Sequence, residues 1–514
     1  MRLLVLFLLF LLHPNAIEAA KILVTSAHDS SSHINSMKPY FSRLAEEGHD
    51  VTVLDTSNSE KPKDFGPKIK VVHIYITPEQ VVEVVGKDAV KNMGERQWRD
   101  DTTTVFMGII YAIMNKAFGL MLDYHSEKFH SVANDTWDLM ITDELFGVHQ
   151  FAMNQQHKRE RGTPYIVFST SMMLMSNYVI NSFGRVGPPR PGMFSKPPVD
   201  SNDVYDTTKF GQRLYGFLQD ATEYVALRYV VQNFGLSNIK RYGVEDFTWK
   251  EYMKGSSIFF TDHFDRFQFP VPEGTDFHGV GSHCSKQKKL TGEFLDFVED
   301  PASNGTIYMA FGSYVKWDYA PDHVITAVVD GLNELKDYRV IFSYNAEKPL
   351  NVGRHVKVTK WAPQAEILAH NKTKLFISHG GLKSMKEALC SFTPIVYMPL
   401  FAEQSHNVRM ALEMGIGGAL NKYTLNKEIF LRELRNVLDN NIKYTDQMRK
   451  LHGIYMDRII PSLDEAVFYT ERVLRRNGES IHFKRTGIDL SWREHLHLDW
   501  VVLLLGTILL LSKN

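Results

Sequence analysis

The fold is decided by residues 361–404, which read WAPQAEILAHNKTKLFISHGGLKSMKEALCSFTPIVYMPLFAEQ. An apolar run at 375–377 predicts a buried strand that ends at Ser378 and His379. Gly380 and Gly381 follow, and the pattern after them predicts a helix. Adjacent glycines allow a sharp turn and a close approach to a ligand, while the start of a helix presents unpaired amides and the positive end of its dipole. Such a strand–turn–helix unit can bind phosphate without a metal.

A turn of this kind is usually structural, and a single histidine beside it is more often a packed residue than a ligand. The surrounding residues favour binding, because they supply a flat aromatic ring for stacking and polar side chains suited to hydroxyl groups. A second apolar run, just before Pro399, also ends in two polar residues. The aromatic and polar side chains in question are Trp361, Gln364, Ser384, Glu387, Glu403 and Gln404.

The N-terminal part of the chain predicts a βαβ unit. Residues 21–27 form an apolar run, apolar residues then recur at helical spacing until Gly48, and a second apolar run covers 51–54. The loop 28–33 therefore lies at the carboxyl end of a strand, where open parallel sheets bind ligands. Within it, His33 is a better candidate base than His28, because the start of the helix disfavours imidazolium and keeps a neutral nitrogen available.

A general-base histidine needs a group that fixes its tautomer and stabilises the positive charge it acquires. Asp143 follows the apolar run 139–142, which places it at the carboxyl end of another buried strand. Asp138, ahead of that run, is predicted to be a solvated turn residue. For His33 or Asp143 alone a structural role is as plausible as a chemical one, but the pair favours catalysis.

At this spacing the pattern closely resembles the signature of the UDP-glycosyltransferase family. It is most similar to the animal microsomal enzymes, of an invertebrate-like type, that join glucuronic acid or glucose to small lipophilic molecules. The resemblance extends over nearly the whole chain. It implies an α/β fold with two doubly wound Rossmann-like domains facing across a cleft, of the GT-B type, and a C-terminal hydrophobic helix.

The resemblance also implies a role for each candidate residue. The uracil of the donor nucleotide would stack on Trp361. Its ribose would be held by Gln364 and Glu387. His379, Gly380, Gly381 and Ser384 would hold the diphosphate, together with the backbone of a second loop, Gly312 and Ser313. Glu403 and Gln404 would reach the sugar, and His33 and Asp143 would be the catalytic base and its partner.

The implied reaction is an inverting transfer from a UDP-sugar to a hydroxyl group, forming a β-glycoside. No cofactor or metal is expected, since helix dipoles meet the charge on the departing UDP. Lys383, Glu403 and Ser343 depart from residues common in relatives, so the donor stays open between UDP-glucuronate and UDP-glucose. A catalytically silent UDP-sugar-binding partner of active relatives remains an alternative. A dinucleotide-dependent oxidoreductase is disfavoured, because no predicted strand is followed by G-x-G-x-x-G.

Composition agrees with a two-domain enzyme. The 514 residues are 44% hydrophobic and 12% aromatic, enough for two sizeable cores, and a net charge of −1 gives no reason to expect nucleic-acid binding. We expect an N-terminal acceptor-binding domain over 21–275, a link around 270–274, and a C-terminal UDP-sugar-binding domain over 285–440. Helices within 441–495 are expected to pack back onto the N-terminal domain. Apolar runs at 102–122 and 165–180 are mostly core, with a minority of their residues available to line a pocket for a small hydrophobic acceptor.

The two ends of the chain predict location. Residues 1–20 have the pattern of a secretory signal peptide, and sequons at Asn134, Asn304 and Asn371 fit the lumen of the endoplasmic reticulum. Residues 496–512 form a short membrane segment, whose apolar part at ~1.5 Å per residue falls short of a ~30 Å hydrocarbon core. The resemblance predicts anchoring in the endoplasmic reticulum membrane and allows homo- or hetero-oligomers. The only two cysteines, Cys284 and Cys390, could pair in principle, but Cys390 lies in an apolar helix and is expected to be a buried thiol.

Overall fold

The computed structural model describes residues 19–100, 103–181, 190–479, 486–495 and 497–512. The predicted signal peptide therefore lies almost entirely outside the described residues. Two parallel sheets organise the chain, the first with seven strands in the order β3-β2-β1-β4-β5-β6-β7. Its strands are β1 Lys21–Thr25, β2 Asp50–Ser57, β3 Ile69–Tyr75, β4 Leu139–Asp143, β5 Tyr165–Ser169, β6 Ile258–Thr261 and β7 Phe277–Gly279.

Helices cover both faces of this sheet. They are α1 Ser31–Glu46, α2 Pro78–Val85, α3 Lys87–Arg99, α4 Thr104–Tyr124, α5 Ser126–Ala133, α6 Val148–Arg161, α7 Met175–Ile180, α8 Phe210–Val225, α9 Gln232–Phe234, α10 Ser237–Tyr242 and α11 Trp249–Gly255. A π-helical turn, Ala226–Val231, joins α8 to α9.

The second sheet has six parallel strands in the order β10-β9-β8-β11-β12-β13. Its strands are β8 Thr306–Ala310, β9 Arg339–Ser343, β10 Val356–Thr359, β11 Thr373–Ser378, β12 Ile395–Tyr397 and β13 Gly417–Ala419. Its helices and those that follow are α12 Gly292–Val298, α13 Asp322–Asn333, α14 Gln364–Leu368, α15 Leu382–Ser391, α16 Gln404–Glu413, α17 Lys427–Asp439, α18 Asn441–Met456, α19 Ser462–Arg475, α20 Trp492–His495 and α21 Leu498–Leu511, with short 3₁₀ turns at Trp317–Tyr319 and Thr486–Asp489.

These two sheets confirm the predicted pair of Rossmann-like domains. The central strands were visible in the sequence because strands covered on both faces are continuous apolar runs. β4 and β8, for example, are buried at every position.

The predicted end of the first domain needs one correction. β7 pairs with β6, so the first sheet continues past residue 275 and the segment 270–274 precedes its last strand. α18 buries Met448 and Leu451 in the core of the second domain, and near its end the ring of Tyr455 packs on Phe264, which follows β6. The crossing is made by α19, where Thr470 Oγ1 lies 2.5 Å from the Tyr40 hydroxyl. An amphipathic period shows that a helix has an apolar face but not what covers it.

Two further segments of the first domain lie against the second. At the end of α3, Trp98 is 1% exposed, donates from Nε1 to the Lys316 carbonyl at 2.9 Å and packs against Trp317. Further on, the Asp203 carboxylate accepts from both terminal nitrogens of Arg409, at 3.1 and 3.0 Å. The cleft is therefore bounded by cross-domain contacts on two sides.

The expectation of a buried thiol at Cys390 is wrong. Cys390 and Cys284 form a disulfide that ties α15 to the loop after β7, across a sequence separation of 106 residues. Periodicity places Cys390 on a helix, but the segment opposite that helix face comes from a distant part of the chain.

One helix in the described part of the chain is long and apolar enough to cross a membrane, namely α4. Met107, Tyr111, Phe118 and Met121 of α4 are buried in the first domain's core, so packing accounts for its apolar character. The C-terminal helix α21 has 14 residues and exposed apolar side chains. At ~1.5 Å per residue it is about 21 Å long, shorter than a ~30 Å hydrocarbon core.

Candidate functional site

The candidate residues gather where the strand order reverses in each sheet. In the first sheet β1 and β4 are neighbours, and the loops at their carboxyl ends lead to His33 and Asp143. In the second sheet β8 and β11 are neighbours, and Gly312 and His379 follow them. Doubly wound sheets bind ligands at this switch point, because the helices after the two central strands lie on opposite faces and leave a crevice.

His33 and Asp143 are in direct contact. His33 lies in the first turn of α1, and its Nδ1 is 2.5 Å from Asp143 Oδ2. Asp143 is fully buried, whereas the His33 side chain is 20% exposed. A carboxylate only accepts hydrogen bonds, so Nδ1 must carry the hydrogen of the neutral ring. Nε2 then has the free lone pair and is the basic atom.

Two residues that the sequence did not single out complete this group. Thr170, directly after β5, donates from Oγ1 to Asp143 Oδ1 at 3.2 Å and lies 2.9 Å from His33 Nδ1. Gln150 donates from Nε2 to the Asp143 carbonyl at 2.6 Å. The available signal for Thr170 was the run Ser169-Thr-Ser at a strand end, which is too common in proteins to be specific.

The charges around His33 favour its protonated form. Burial lowers the pKa of His33, but the carboxylates of Asp143, Glu403 and Glu144 act in the opposite direction, and the net result is a pKa raised above the ordinary value. Glu403 belongs to the second domain, so this carboxylate acts on His33 across the cleft. Burial raises the pKa of Glu403, and His33 partly offsets that increase.

The two glycine loops of the second domain meet at His379. A Cβ added to Gly312 would lie 3.2 Å from His379 Cε1 and Nε2, and one added to Gly381 would lie 2.6 Å from Nε2. Gly312 has φ +72° and Gly380 has φ +87°, so both occupy backbone conformations that suit glycine. Burial lowers the pKa of His379 to about 4, which keeps its ring neutral and able to donate one hydrogen bond. Ser313 lies exposed on the same open loop.

Three polar side chains form a hydrogen-bonded cluster between α14 and α15. Gln364 Nε2 donates to Glu387 Oε2 at 2.5 Å and to Ser384 Oγ at 3.2 Å. Trp361, three residues before Gln364, is 77% exposed and so presents an open ring beside this group. Lys383 also projects into solvent. The structure thus brings together Gln364, Ser384 and Glu387, with an aromatic ring at the edge.

Glu403 and Gln404 begin α16. The Gln404 Oε1 accepts from the amides of Leu400 and Phe401, at 2.9 and 3.1 Å, which braces the loop that carries Glu403. The carbonyl end of Gln404 is therefore occupied by the protein, and its NH₂ end is the part left for a ligand.

Solved glycosyltransferases of the GT-B type have the same fold. A Phytolacca americana UGT2 complexed with UDP-2fluoro-glucose and pterostilbene superposes with a TM-score of 0.56 at 16% identity, covering 88% of this chain and 100% of that one. The calicheamicin glycosyltransferase CalG4 gives 0.55 at 15% identity, covering 89% and 99%. These likenesses show that the fold is of the GT-B type.

The sequence profile of the UDP-glucoronosyl and UDP-glucosyl transferase family matches residues 20–512, so the chain belongs to that family. Among curated relatives, UDP-glucuronosyltransferase 2B7 of Homo sapiens is 26% identical over 507 residues, covering 94% of this chain and 90% of that protein. UDP-glucuronosyltransferase 1A1 of Homo sapiens is 25% identical over 510 residues, covering 98% and 91%. Family and fold support transfer of a sugar from a UDP-sugar.

Proposed function

We propose that this protein is an inverting glycosyltransferase that moves glucuronic acid or glucose from its UDP-sugar to a hydroxyl group of a small lipophilic acceptor. The observation that carries the proposal is the 2.5 Å contact between His33 and the fully buried Asp143, with Glu403 of the donor domain close to the same ring. A base of this kind, placed between a nucleotide-sugar crevice and an apolar domain, suits deprotonation of an acceptor hydroxyl.

The base operates through Nε2 of His33. This nitrogen takes the acceptor's proton while the acceptor oxygen attacks the anomeric carbon from the face opposite UDP. Asp143 stabilises the imidazolium that forms, and Thr170 holds the carboxylate in place. Because attack and departure occur on opposite faces, an α-linked donor gives a β-linked product.

The donor would lie along the second domain. Trp361 stacks on uracil, and Gln364 and Glu387 bind the ribose hydroxyls, consistent with their contact beside that ring. Gly380, Gly381, Ser384 and the Gly312-Ser313 backbone, with His379, take the diphosphate at the start of α15. Glu403 and the NH₂ group of Gln404 reach the sugar, next to His33.

Charge on the departing UDP oxygen is met by fixed dipoles. The first amides of α15 have no side-chain cap, so they are free to face the diphosphate. Such preorganised donors stabilise developing negative charge without reorganising at the moment of reaction.

The acceptor would bind to the first domain. The segment after β5 contributes Met172, Met173 and Met175, whose flexible side chains adapt to varied apolar partners. This segment begins at Thr170, so an apolar acceptor packed against it would bring its hydroxyl to the His33 ring.

The test is product formation by the full chain in microsomes, offered UDP-glucuronate or UDP-glucose with a panel of phenols. We expect UDP release and a glycoside from one preferred donor. If both donors bind, as measured by UDP-sugar protection from thermal unfolding, and no acceptor is modified, the enzyme proposal fails and a silent UDP-sugar-binding partner replaces it.

We further propose that the catalytic domains lie in the lumen of the endoplasmic reticulum, with α21 in its membrane. The side chains of α21 are apolar and exposed, and the three sequon asparagines, Asn134, Asn304 and Asn371, are also exposed. Chains truncated before Leu498 should leave the membrane fraction on alkaline carbonate extraction, whereas the full chain should stay. This location would be contradicted by a full chain that carbonate extracts from the membrane and whose electrophoretic mobility does not change on endoglycosidase treatment.

A further inference from the structure

Glu144, next to the candidate dyad, has a buried carboxylate with defined partners. It is 1% exposed, and its Oε1 accepts from the amide of Leu174 at 3.0 Å and from the side-chain nitrogen of Asn177. Both partners lie in the segment that follows β5. Glu144 therefore connects the end of β4 to that segment.

A second buried charge extends this connection. Asn177 Oδ1 accepts from Arg228 Nη2, and Arg228 lies in the π-helical turn, 5.2 Å from the ring centre of Trp249. Asn177 and Arg228 are 3% and 6% exposed. The chain Glu144–Asn177–Arg228 thus runs from the dyad strand into the helical layer of the first domain.

The segment held in this way is the one that touches the dyad. Thr170 at its start contacts both His33 and Asp143, and Leu174 and Asn177 further along are bonded to Glu144. Loss of the Glu144 contacts would remove the bonds that tie Leu174 and Asn177 to the end of β4, although Ser176 would still be bonded to Glu223.

The charge of Glu144 reaches His33. Burial raises the pKa of Glu144, hydrogen bonds from Ser169, Asn177 and Leu174 lower it, and Asp143 raises it, and the net result is a pKa of about 7. The other groups facing it are Arg228 on the π-helical turn and the tyrosines of α4, α7 and α11. Burial raises the pKa of these tyrosines, Tyr111, Tyr178 and Tyr252, so they stay neutral. Glu144 is also one of the three carboxylates that raise the pKa of His33.

We propose that Glu144 is a positioning residue for the reaction proposed above: through Leu174 and Asn177 it holds the acceptor-side segment 170–177 against β4. When it is ionised, its carboxylate also favours the protonated form of His33. The proposal rests on the proposed function for the reaction it serves. Glu144 itself does not touch the reacting atoms.

The test compares Glu144→Gln, Glu144→Ala and the matched control Glu223→Gln. Glu223 is an equally buried carboxylate that accepts from the Ser176 amide, at 2.8 Å, in the same segment. Glu144→Gln keeps an acceptor oxygen but removes the charge, so the acidic limb of the kcat/KM profile should move to lower pH, by less than it moves in Asp143→Asn. Glu144→Ala should raise the acceptor KM by about fivefold or more with the donor KM unchanged, because it leaves buried donors unpaired. The control should leave the acidic limb in place.

A second readout works without turnover. Exchange of the His33 C2 hydrogen for deuterium, followed by mass spectrometry across pH, reports the pKa of that ring in each variant. A lower His33 pKa in Glu144→Gln than in the wild type and in Glu223→Gln supports the proposal even if no acceptor is glycosylated. Identical His33 titrations and identical acceptor KM values in folded Glu144 variants overturn it, and activity of the wild type then leaves the proposed function intact.

Discussion

Asp143 and Thr170 act on the same imidazole from different strands, and their substitutions should differ in size. Asp143→Asn removes the charge that stabilises imidazolium, so kcat should fall by roughly 10²–10⁴-fold. Thr170→Val removes only one hydrogen bond to that carboxylate and should cost about tenfold. Initial rates at saturating donor measure both. Equal losses in the two variants would contradict the assigned order of importance.

The pH dependence follows from the direction of the His33 shift. The base must be neutral to act, so activity is lost as pH falls through its raised pKa, and the acidic limb should lie above histidine's ordinary 6.5. In Asp143→Asn a neighbour that raises the pKa is removed, so the limb should move to lower pH. A limb in the wild type below that ordinary value, measured as kcat/KM across pH, would count against His33 as the base.

His33 and Asp143 could be predicted from the sequence because each follows a strand that is visible as an apolar run. Thr170 and Glu144 could not, since hydroxyl and carboxyl residues at strand ends have many structural uses. Their roles depend on contacts that form only when β4 and β5, which α6 separates in the sequence, pair in the sheet.

Among the structural elements, the two glycine loops give the sharpest test. Gly312→Ala and Gly415→Ala introduce a side chain at similar φ, +72° and +66°, so their backbone strain should be similar at about 1–2 kcal/mol. Only the new methyl group at Gly312 would meet another residue, the ring of His379. The UDP-sugar KM should therefore rise in Gly312→Ala and stay near wild type in Gly415→Ala. Equal KM values in the two variants would separate the Gly312 loop from the donor site.

The disulfide supports the element that carries the proposed diphosphate site. Cys284 and Cys390 are separated by 106 residues, and loss of a native disulfide costs about 2–5 kcal/mol of unfolding free energy. The double variant Cys284→Ser/Cys390→Ser should melt at a lower temperature than the wild type. A reductant should lower the wild-type melting temperature and leave that of the double variant unchanged. A reductant effect of equal size in both would show that the bond contributes nothing.

Element boundaries show where sequence reasoning fails. Strands β1, β4 and β11 were predicted within a few residues because they are buried on both faces. The short strand β7 has three residues and no readable period, which is why the predicted domain end fell before it.

At the scale of the whole molecule, a buried ion pair joins the two domains behind the site. Asp262, after β6, accepts from the ammonium group of Lys386 on α15, and the two are 3% and 7% exposed. Burial raises the pKa of Asp262, and Lys386 opposes that rise. The pair therefore aligns the donor helix with the domain that carries the base.

Breaking this pair should be more harmful than removing both charges. Lys386→Met removes the cation that pairs with the buried Asp262, which should cost about 3–5 kcal/mol of unfolding free energy. Asp262→Asn/Lys386→Met removes both charges and should recover much of that loss. Lys383→Met, on the exposed face of the same helix, is the control and should have little effect. Chemical denaturation measures all three, and a double variant as unstable as the single one would contradict the pairing.

The general architecture followed from the sequence, whereas the contacts between domains did not. Trp98 packs against Trp317, but they lie at the end of α3 and in a 3₁₀ turn of the other domain. The sequence of either segment does not indicate that the two are in contact. The same holds for Asp203 with Arg409, since the position of a charged residue in the sequence does not identify its partner in a distant segment.

The most direct measurement is the rate and anomeric configuration of product formed by the wild type and by His33→Ala, followed by proton NMR with an α-linked UDP-sugar and a phenol. We expect a β-glycoside from the wild type, and from His33→Ala a rate lower by roughly 10²–10⁴-fold with UDP-sugar binding retained. An α-glycoside, or a His33→Ala rate equal to the wild type, would contradict base-catalysed inversion by His33.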